Sequence, residues 1–416
     1  MNEFFLAIDI GGTKTRIGTV ARDDPGSVVT SVTIPTIRDD PAASILATVR
    51  EARALVPAEG QFLVAGVAAP GPLDTKARRP GRLPNLPAWG GYPLGDALEE
   101  ALGVPVILEN DANVAAYGEL FFGSGRGLSD FLLVTVGTGV GGALVSGGRL
   151  IKGARDGAGE IGHLQANPDG PMCGCGRRGC VEAMASGSAI LREYGKPAGE
   201  AFAKAAGGEI RAREVLAAAG RALGMGIASV VTILEPSAVV IGGGLSQIEQ
   251  GMFSFYLGPC RDEVAKRSYR MWGQDVPLMV AELGGDGPLL GAAMLARETH
   301  AMGQARKVDK PWGEEVWWAR TERYVGKRIS VRAGHSLSLQ YHERKLETMH
   351  FVSGTGLLFL GDDRIPIVPG LTVTIEPRTR HRVEAWTDLV FLEASTPEVD
   401  DVVRLEDKYG RAPRSL

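Results

Sequence analysis

Three cysteines and one histidine lie close together in the sequence and form a dense group of metal-binding side chains. Cys173, Cys175 and Cys180 belong to the segment CGCGRRGC, and His163 ends the preceding segment GAGEIGH. Three sulfur atoms and one imidazole can bind one tetrahedral ion, and zinc is the ion that these ligands favour. A disulfide is the alternative, but the fourth cysteine, Cys260, is distant and no other feature is typical of a secreted chain. The sequence therefore predicts a zinc site.

Three glycine-rich segments, each directly after a predicted strand, could let phosphate groups approach the backbone. Bare backbone at strand ends is where ligands bind in open α/β sheets. The candidate positions for ATP and its phosphates are Asp9, Gly11, Gly12, Thr13, Lys14, Thr138, Gly139, Gly242, Gly243 and Gly244. Asp9 could hold Mg²⁺ through water, although a hairpin turn before a second strand at 15–20 would have a similar sequence. None of the three segments has the spacing of a Walker A motif or of the dinucleotide fingerprint.

A carboxylate stands between a predicted strand and a predicted helix, in the segment Glu109–Asn113. In that position Asp111 could accept the proton of a substrate hydroxyl, which is the task of the base in phosphoryl transfer. The alternative is that Asp111 only caps the helix that starts at residue 112. The glycine segments around it favour the catalytic interpretation.

The composition is that of a globular protein with more than one domain. The chain has 416 residues, of which 44% are hydrophobic and 23% charged, and its formal net charge is −4. This length predicts two or three domains, and the charge gives no reason to expect nucleic acid or an anionic membrane as a partner. No secretory leader and no apolar stretch of about 20 residues is evident, so we expect a cytoplasmic protein without a membrane span.

The hydrophobic pattern changes character near residue 302. Before it, β-branched runs alternate with helical stretches, which indicates an α/β architecture. Strands are predicted at 4–9, 62–68, 105–109, 131–136 and 238–241, and helices at 43–55, 112–121, 211–233 and 288–298. The later part consists of short alternating segments between turns, which is typical of an all-β barrel or jelly roll. The predicted domains are 1–302 and 311–416, joined by a linker at 303–310.

A second group of potential metal ligands lies in the all-β part. Gln340 and His342 are two residues apart and share one face of a strand, Glu347 follows on the next strand, and His381 begins a later one. Nitrogen and oxygen ligands of this kind suit zinc, manganese, iron, cobalt or nickel. The alternative is that these are ordinary polar residues on the inner face of a barrel.

The first part of the chain resembles the ROK family of sugar kinases. The resemblance rests on the segments DIGGTK, PNLPAW, ENDANVAAYGE, TVGTGVGG, GAGEIGH and CGCGRRGCVE, and covers about residues 4–300. It implies an actin-like ATPase fold with two ribonuclease H-like lobes, usually dimeric, with Asp111 as the base for the 6-hydroxyl of a hexose. The implied sugar-binding residues are Gly71, Asn85, Asn110, Glu160, His163 and Glu182. Some ROK proteins are transcriptional repressors, but the first strand begins too early for a preceding DNA-binding segment, so a kinase is favoured.

The second part resembles the cupin-type mannose-6-phosphate isomerases. The segments KPWGEEVWWA and SLQYHERKLETMHFVSG carry the resemblance, over about residues 307–400. It implies that Gln340, His342, Glu347 and His381 hold one divalent metal for an aldose–ketose isomerisation. The substrate phosphate could contact Lys345, Arg380 and Arg382, and the proton-transferring base could be Glu343 or Glu384.

Together the two resemblances imply a bifunctional enzyme. A kinase acting on mannose, and on glucose, would make mannose 6-phosphate, which the second domain would convert to fructose 6-phosphate. Two alternatives remain open: a fructokinase that feeds mannose 6-phosphate synthesis, and a kinase whose cupin is a non-catalytic sugar-phosphate sensor. A transcriptional regulator would require a separate DNA-binding partner.

Overall fold

The computed structural model describes residues 2–57, 59–83, 85–269, 275–303 and 306–410. The chain divides into two units, residues 1–299 and residues 300–416. Each unit has its own buried apolar core. The α/β pattern is confirmed in the first unit and the all-β pattern in the second.

The first unit contains twelve strands and nine helices among its described residues. The strands are β1 (Asn2–Ile10), β2 (Lys14–Ala21), β3 (Val28–Pro35), β4 (Gly60–Ala69), β5 (Leu73–Asp74), β6 (Arg79–Pro80), β7 (Val106–Asn110), β8 (Phe131–Val136), β9 (Val140–Ser146), β10 (Arg149–Leu150), β11 (Ala238–Gly242) and β12 (Leu278–Val280). The helices are α1 (Pro41–Ala54), α2 (Leu94–Leu102), α3 (Asp111–Phe122), α4 (Val181–Ala185), α5 (Gly187–Tyr194), α6 (Ala198–Ala206), α7 (Ile210–Leu234), α8 (Gln250–Arg267) and α9 (Gly287–Gly303). Every strand and helix predicted from the sequence is present, with ends that differ by a few residues.

Two five-stranded sheets organise this unit, in the orders β3-β2-β1-β4-β7 and β10-β9-β8-β11-β12. Within the first sheet β1, β4 and β7 are parallel, and within the second β8, β11 and β12 are parallel. Parallel strands end at one edge of their sheet, so the segments that follow them are brought together. This explains why glycine segments far apart in sequence can form one site.

Helix α8 was not among the predicted helices, and it contains Pro259 in its interior. Proline removes one helical hydrogen bond, but this helix packs along α7 and the packing outweighs the loss. At Gly220 of α7 an added Cβ would lie 2.1 Å from the carbonyl oxygen of Tyr256, so only glycine permits this close approach. Tertiary contact therefore decides the structure of α8.

Helix α7 is long and apolar enough to cross a membrane, judged by length and composition only. More than half of its most apolar stretch is buried, and residues such as Leu216, Leu223 and Ile227 lie in the core of the first unit. A core helix of a globular protein has the same character.

The second unit is built of strands alone after α9. They are β13 (Arg306–Lys310), β14 (Gly313–Arg320), β15 (Val325–Val331), β16 (Leu339–His342), β17 (Glu347–Ser353), β18 (Gly356–Leu360), β19 (Asp363–Ile367), β20 (Thr372–Ile375), β21 (His381–Ala385), β22 (Leu389–Ser395) and β23 (Val402–Glu406). They form one sheet in the order β13-β14-β15-β22-β17-β20 and another in the order β19-β18-β21-β16-β23. Side chains from both sheets, among them Ile329, Phe391, Leu358 and Val383, share one core.

The predicted linker at 303–310 is wrong over residues 306–310, which form β13. This strand pairs with β14 across a tight turn in which Lys310 is opposite Gly313. It lies at the edge of its sheet, where charged side chains remain in contact with water, so a polar sequence can still form a strand. Residues 304–305 of the predicted linker lie outside the described residues.

Candidate active sites

A cavity of about 510 Å³ lies where the strand ends of the two sheets of the first unit meet. Its lining includes Gly12 and Thr13 from the β1–β2 turn, Thr138 and Gly139 from the β8–β9 turn, and Gly243 after β11. All the predicted sugar-binding residues and the predicted base also line it: Gly71, Asn85, Asn110, Asp111, Glu160, His163 and Glu182. Residues predicted from separate motifs are thus brought to one site.

Five of the predicted phosphate-binding residues do not line this cavity: Asp9, Gly11, Lys14, Gly242 and Gly244. The segment after Asp9 is a hairpin turn, in which the N–H of Gly11 donates to the carbonyl of Lys14 over 2.9 Å. The segment is therefore a hairpin turn between two strands, as the alternative interpretation proposed. The same turn nevertheless places Gly12 and Thr13 in the lining of the cavity. Arg38 also lines the cavity and was not predicted, since no motif contains it.

Asp111 is the first residue of α3, and the capping role belongs to its neighbour. The N–H groups of Ala112 and Asn113 donate to Oδ1 of Asn110 over 3.0 and 3.3 Å. The carboxylate of Asp111 accepts from the N–H of Ala112 but is otherwise open to the cleft. Because Asn110 satisfies the helix terminus, Asp111 is available for chemistry.

Two carboxylates, Asp111 at the cleft and Asp9 on the neighbouring strand β1, have unusually high proton affinity. The surrounding protein raises the pKa of Asp111 to about 7 by desolvation, and the negative charges of Asp9 and Glu160 add to the effect. Desolvation likewise raises the pKa of Asp9 to about 6, although Arg16 and Lys14 act in the opposite direction. A carboxylate that titrates near neutral pH is suited to accept a proton from a hydroxyl group.

An ion pair between the buried Glu109 and the partly exposed Lys152 connects the two sides of this site. Glu109 is buried at the end of β7 and accepts hydrogen bonds from the N–H of Asn110 over 2.9 Å and from the side-chain amide of Asn113 over 3.0 Å. Its other oxygen is paired with Lys152, from the segment that leads to Glu160. The pair therefore holds the strand end that carries Asn110 against that segment.

The predicted cysteine and histidine ligands converge. The donor atoms of His163, Cys173, Cys175 and Cys180 all lie within 4.8 Å of one another. The Sγ atoms of Cys175 and Cys180 are 3.6 Å apart, and Sγ of Cys173 is 3.7 Å from Nδ1 of His163. A sulfur separation of this size is far beyond the length of about 2.05 Å of a disulfide bond, and all four cysteines of the chain are free. This group could hold one metal ion beside the cleft.

Three of the four predicted ligands in the second unit also converge, because the donor atoms of His342, Glu347 and His381 lie within 4.8 Å of one another. Nε2 of His342 has no hydrogen-bond partner among the described residues, and Nε2 of His381 is 3.0 Å from Oε1 of Glu347. The fourth predicted ligand, Gln340, has its side-chain nitrogen 3.4 Å from Nε2 of His381. Burial and the cation of Lys345 lower the pKa of His342, which favours the neutral ring that metal binding requires.

The outer nitrogens of both histidines are fixed by neighbouring acceptors. Nδ1 of His342 is 2.8 Å from Oδ1 of Asp401, and Nδ1 of His381 is 3.0 Å from the carbonyl oxygen of Thr379. These contacts favour a proton on Nδ1 of each ring, which would leave Nε2 available to bind a metal ion. Asp401 was not predicted, since nothing in its local sequence distinguishes it from the neighbouring Asp400.

Gln340, His342 and Glu347 border a cavity of about 410 Å³ that contains a buried charge network. Glu393 lies between the ammonium groups of Lys327 and Lys345, at 3.1 and 2.7 Å, and Lys345 is also paired with Glu347. Lys345, one of the three residues expected near the substrate phosphate, therefore lines the cavity but is already paired with two carboxylates. Sequence reasoning missed Lys327 and Glu393 because they lie on β15 and β22, outside the metal-binding segment.

The other predicted phosphate and base residues do not line this cavity. Arg380 is mainly exposed and its guanidinium lies 3.7 Å from Asp362, while Arg382 is paired with Glu406. Among the candidate bases, Glu343 is paired with the exposed Arg378, and Glu384 borders a different cavity. The strand alternation of β21 directs residues 382 and 384 to the face opposite to that of His381, so the structure gives these two expectations no support.

Comparisons with known proteins agree with both halves of this description. The ROK family profile matches residues 5–299, and the profile of the mannose-6-phosphate isomerase C-terminal domain matches residues 297–407. The chain is 34% identical to a glucokinase of Thermotoga maritima, over 70% of this chain and 97% of that protein, and 34% identical to an N-acetylmannosamine kinase of Escherichia fergusonii, over 70% and 98%.

Solved structures extend the likeness to three dimensions. A ROK family glucokinase from Streptomyces griseus, in complex with glucose and AMPPNP, matches with a TM-score of 0.62 and 32% identity, over 71% of this chain and 99% of that chain. A ROK hexokinase from Thermus thermophilus matches with a TM-score of 0.60 and 34% identity, over 71% and 98%. The expected actin-like ATPase fold and the cupin-type second domain are thereby confirmed. The chain belongs to the ROK family, and it carries a mannose-6-phosphate isomerase C-terminal domain after its kinase-like domain.

Proposed function

We propose that the first unit transfers the γ-phosphate of ATP to the 6-hydroxyl of a hexose, mannose or glucose, with Asp111 as the general base. The observation that carries this proposal is the position of Asp111, open to a cleft lined by both the glycine turns and the predicted sugar-binding side chains. The carboxylate accepts the proton of the hydroxyl as its oxygen attacks phosphorus. Asn85, Asn110, Glu160 and Glu182 offer the paired donors and acceptors that a neutral sugar requires.

Absence of side chains at two glycines supports this arrangement of the cleft. An added Cβ at Gly139 would lie 2.5 Å from Oε2 of Glu182, and one at Gly71 would lie 2.8 Å from the side-chain nitrogen of Asn110. The backbone of both turns therefore lies directly against the polar groups of the proposed sugar site. Mg²⁺ with ATP would neutralise charge on the phosphates, with Asp9 as the carboxylate nearest in sequence to the phosphate turn.

The cluster of three cysteines and His163 is proposed to hold a structural zinc ion. In a tetrahedron with Zn–S bonds of about 2.3 Å, neighbouring sulfur atoms would be separated by roughly 3.8 Å. The separations of 3.6 Å between Cys175 and Cys180 and of 3.7 Å between Cys173 and His163 fit this geometry. Because His163 also lines the cleft, the site would fix a sugar-binding residue.

The second unit is proposed to isomerise mannose 6-phosphate to fructose 6-phosphate with one divalent metal. His342, Glu347 and His381 would hold the ion. Rotation of the Gln340 side-chain amide by 180° would exchange its nitrogen and oxygen and so provide an oxygen ligand. The metal supplies a Lewis acid for the negative charge that develops on the sugar oxygens. The unpartnered Nε2 of His342 supports a catalytic cupin over a sensor that lacks a metal.

The bifunctional proposal is tested with the variant Asp111→Asn in the full-length protein. The variant keeps the shape of the side chain but removes the base, so phosphorylation of mannose should fall by about 10²- to 10⁴-fold. Isomerisation of added mannose 6-phosphate should be unchanged, because all the residues proposed for it lie in the second unit. Wild-type rates on mannose, glucose and fructose separate the hexokinase from the fructokinase alternative. We expect a cytoplasmic homodimer.

A further inference from the structure

The cavity of the second unit contains one cationic side chain that its neighbours leave unpaired. Four cations line this cavity, and three of them are within ion-pair distance of a carboxylate: Lys310 of Glu315 at 3.4 Å, Lys327 of Glu393 at 3.1 Å, and Lys345 of Glu393 at 2.7 Å. The fourth is Arg404, which has no carboxylate partner among the residues that the structure describes. Its Nε is buried and has no hydrogen-bond partner there either.

The strand register places Arg404 beside the proposed metal ligands. On the sheet β21-β16-β23, Gln340 is opposite His381 on one side and opposite Arg404 on the other. Residues directly opposite each other on antiparallel strands project from the same face, with Cβ atoms about 5 Å apart. His381, Gln340 and Arg404 therefore form one row, and Arg404 is on the face that carries the metal-binding group.

With a divalent metal bound, the charges of the cavity favour an anionic occupant. Its lining carries four cationic and four carboxylate side chains, so a divalent ion would leave an excess of about two positive charges. A phosphate monoester carries a charge of about −1.5 to −2 near neutral pH. A guanidinium, whose planar N–H groups match the geometry of phosphate oxygens, is the side chain best suited to bind such a group with two parallel hydrogen bonds.

We propose that Arg404 binds the phosphate of the sugar phosphate and thereby selects phosphorylated over neutral sugars in the second unit. This inference rests on the proposed isomerase function and replaces Arg380 and Arg382 as the expected phosphate ligands. Arg404 is a binding residue, so its loss should raise the KM for the substrate more than it lowers kcat.

The test compares the binding of mannitol 6-phosphate and mannitol to full-length wild-type and Arg404→Gln proteins by calorimetry. Neither ligand has a carbonyl group, so neither can be isomerised. We expect the wild type to prefer the phosphorylated ligand, and Arg404→Gln to weaken its binding by about 10- to 100-fold while leaving mannitol unaffected. Arg404→Lys, which keeps the charge, should recover part of the affinity. Residues 1–299 are identical in all these proteins, so any binding of either ligand in the cleft of the first unit contributes equally to every measurement.

Arg380→Gln is the matched control, because it removes the same charge from an exposed position of the same unit. It should bind mannitol 6-phosphate as the wild type does. Equal affinities of wild type and Arg404→Gln for mannitol 6-phosphate, or a wild type without preference for the phosphorylated ligand, would overturn the proposal. Unchanged kinase activity, melting temperature and metal content establish that Arg404→Gln is folded. Arg404-dependent binding in a protein that does not isomerise mannose 6-phosphate would reject the proposed reaction but retain this site.

Discussion

Replacing Asp111 by asparagine should lower the rate of phosphorylation by about 10²- to 10⁴-fold and, at alkaline pH, stabilise the ligand-free protein. The folded state raises the pKa of Asp111 from 3.8 to about 7. A carboxyl group with a raised pKa contributes its full stability below about pH 3.8 and loses that contribution as the pH rises through 7. Asparagine cannot ionise, so the variant does not carry this cost.

The size of the effect follows from the pKa shift and the exposure of the side chain. A shift of about three units corresponds to an upper limit of roughly 4 kcal/mol above pH 7. Because Asp111 is exposed to water in the cleft, we discount this value to about 1–2 kcal/mol. In a unit of this size that gain would raise the melting temperature by a few degrees.

The assay is thermal unfolding of both proteins between about pH 4 and pH 8 without sugar or nucleotide. The melting temperature of Asp111→Asn minus that of the wild type should be near zero at pH 4 and should grow up to about pH 7. Asp262→Asn, at an exposed position of α8, controls for the loss of a negative charge. A difference that does not change with pH would refute the raised pKa of Asp111.

Three further predictions concern the base, the metal cluster and the buried charges. The kinase kcat/KM for hexose should rise with pH to a midpoint near 7, measured as a pH–rate profile, because only the ionised Asp111 accepts a proton. Cys175→Ser removes one metal ligand at an exposed position, so it opens no cavity in the core. Elemental analysis of this variant should find less than one zinc ion per chain. Its KM for hexose should rise about 10- to 100-fold, because His163 is no longer held by the metal. Glu393→Gln leaves two buried ammonium groups without their shared carboxylate, and calorimetry should find the second unit destabilised by about 3–5 kcal/mol.

Matched variants distinguish these effects from general damage. Arg178→Gln changes an exposed residue of the cysteine loop and should keep both the metal and the hexose KM. Full zinc occupancy in Cys175→Ser would contradict the four-ligand site. A pH–rate profile with its midpoint near pH 4 would mean that the cleft does not raise the pKa of Asp111 in the working enzyme. If the second unit of Glu393→Gln has the same free energy of unfolding as that of the wild type, the two lysines do not depend on Glu393 for their stabilisation.

Most residues predicted for the proposed kinase site converge in the structure, because they lie in short segments at strand ends. Asp111, Gly12 and Thr138 each follow a strand of a parallel arrangement, and the fold brings such ends together wherever they stand in the chain. The ligands of the cysteine cluster are likewise close in sequence, so their convergence needs only a local turn. Where a site is built from strand ends or from one loop, local sequence is sufficient.

The substrate end of the second unit could not be predicted in the same way. Lys327, Glu393 and Arg404 lie on three strands, and only the pairing of those strands places them at one cavity. Arg382 is two residues from Glu384 and one from His381, so proximity in sequence favoured it, but the alternation of side chains along β21 turns it to the other face. Strand register, which no local motif encodes, decides between Arg382 and Arg404.

The most direct test of the account is a time course of purified full-length protein with ¹³C-labelled mannose, ATP and Mg²⁺, followed by ¹³C and ³¹P NMR. Mannose 6-phosphate should form first and then be converted to fructose 6-phosphate by the same preparation. In Asp111→Asn neither product should form from mannose, while added mannose 6-phosphate should still be isomerised. Accumulation of mannose 6-phosphate without fructose 6-phosphate, or phosphorylation that persists in Asp111→Asn, would contradict the account.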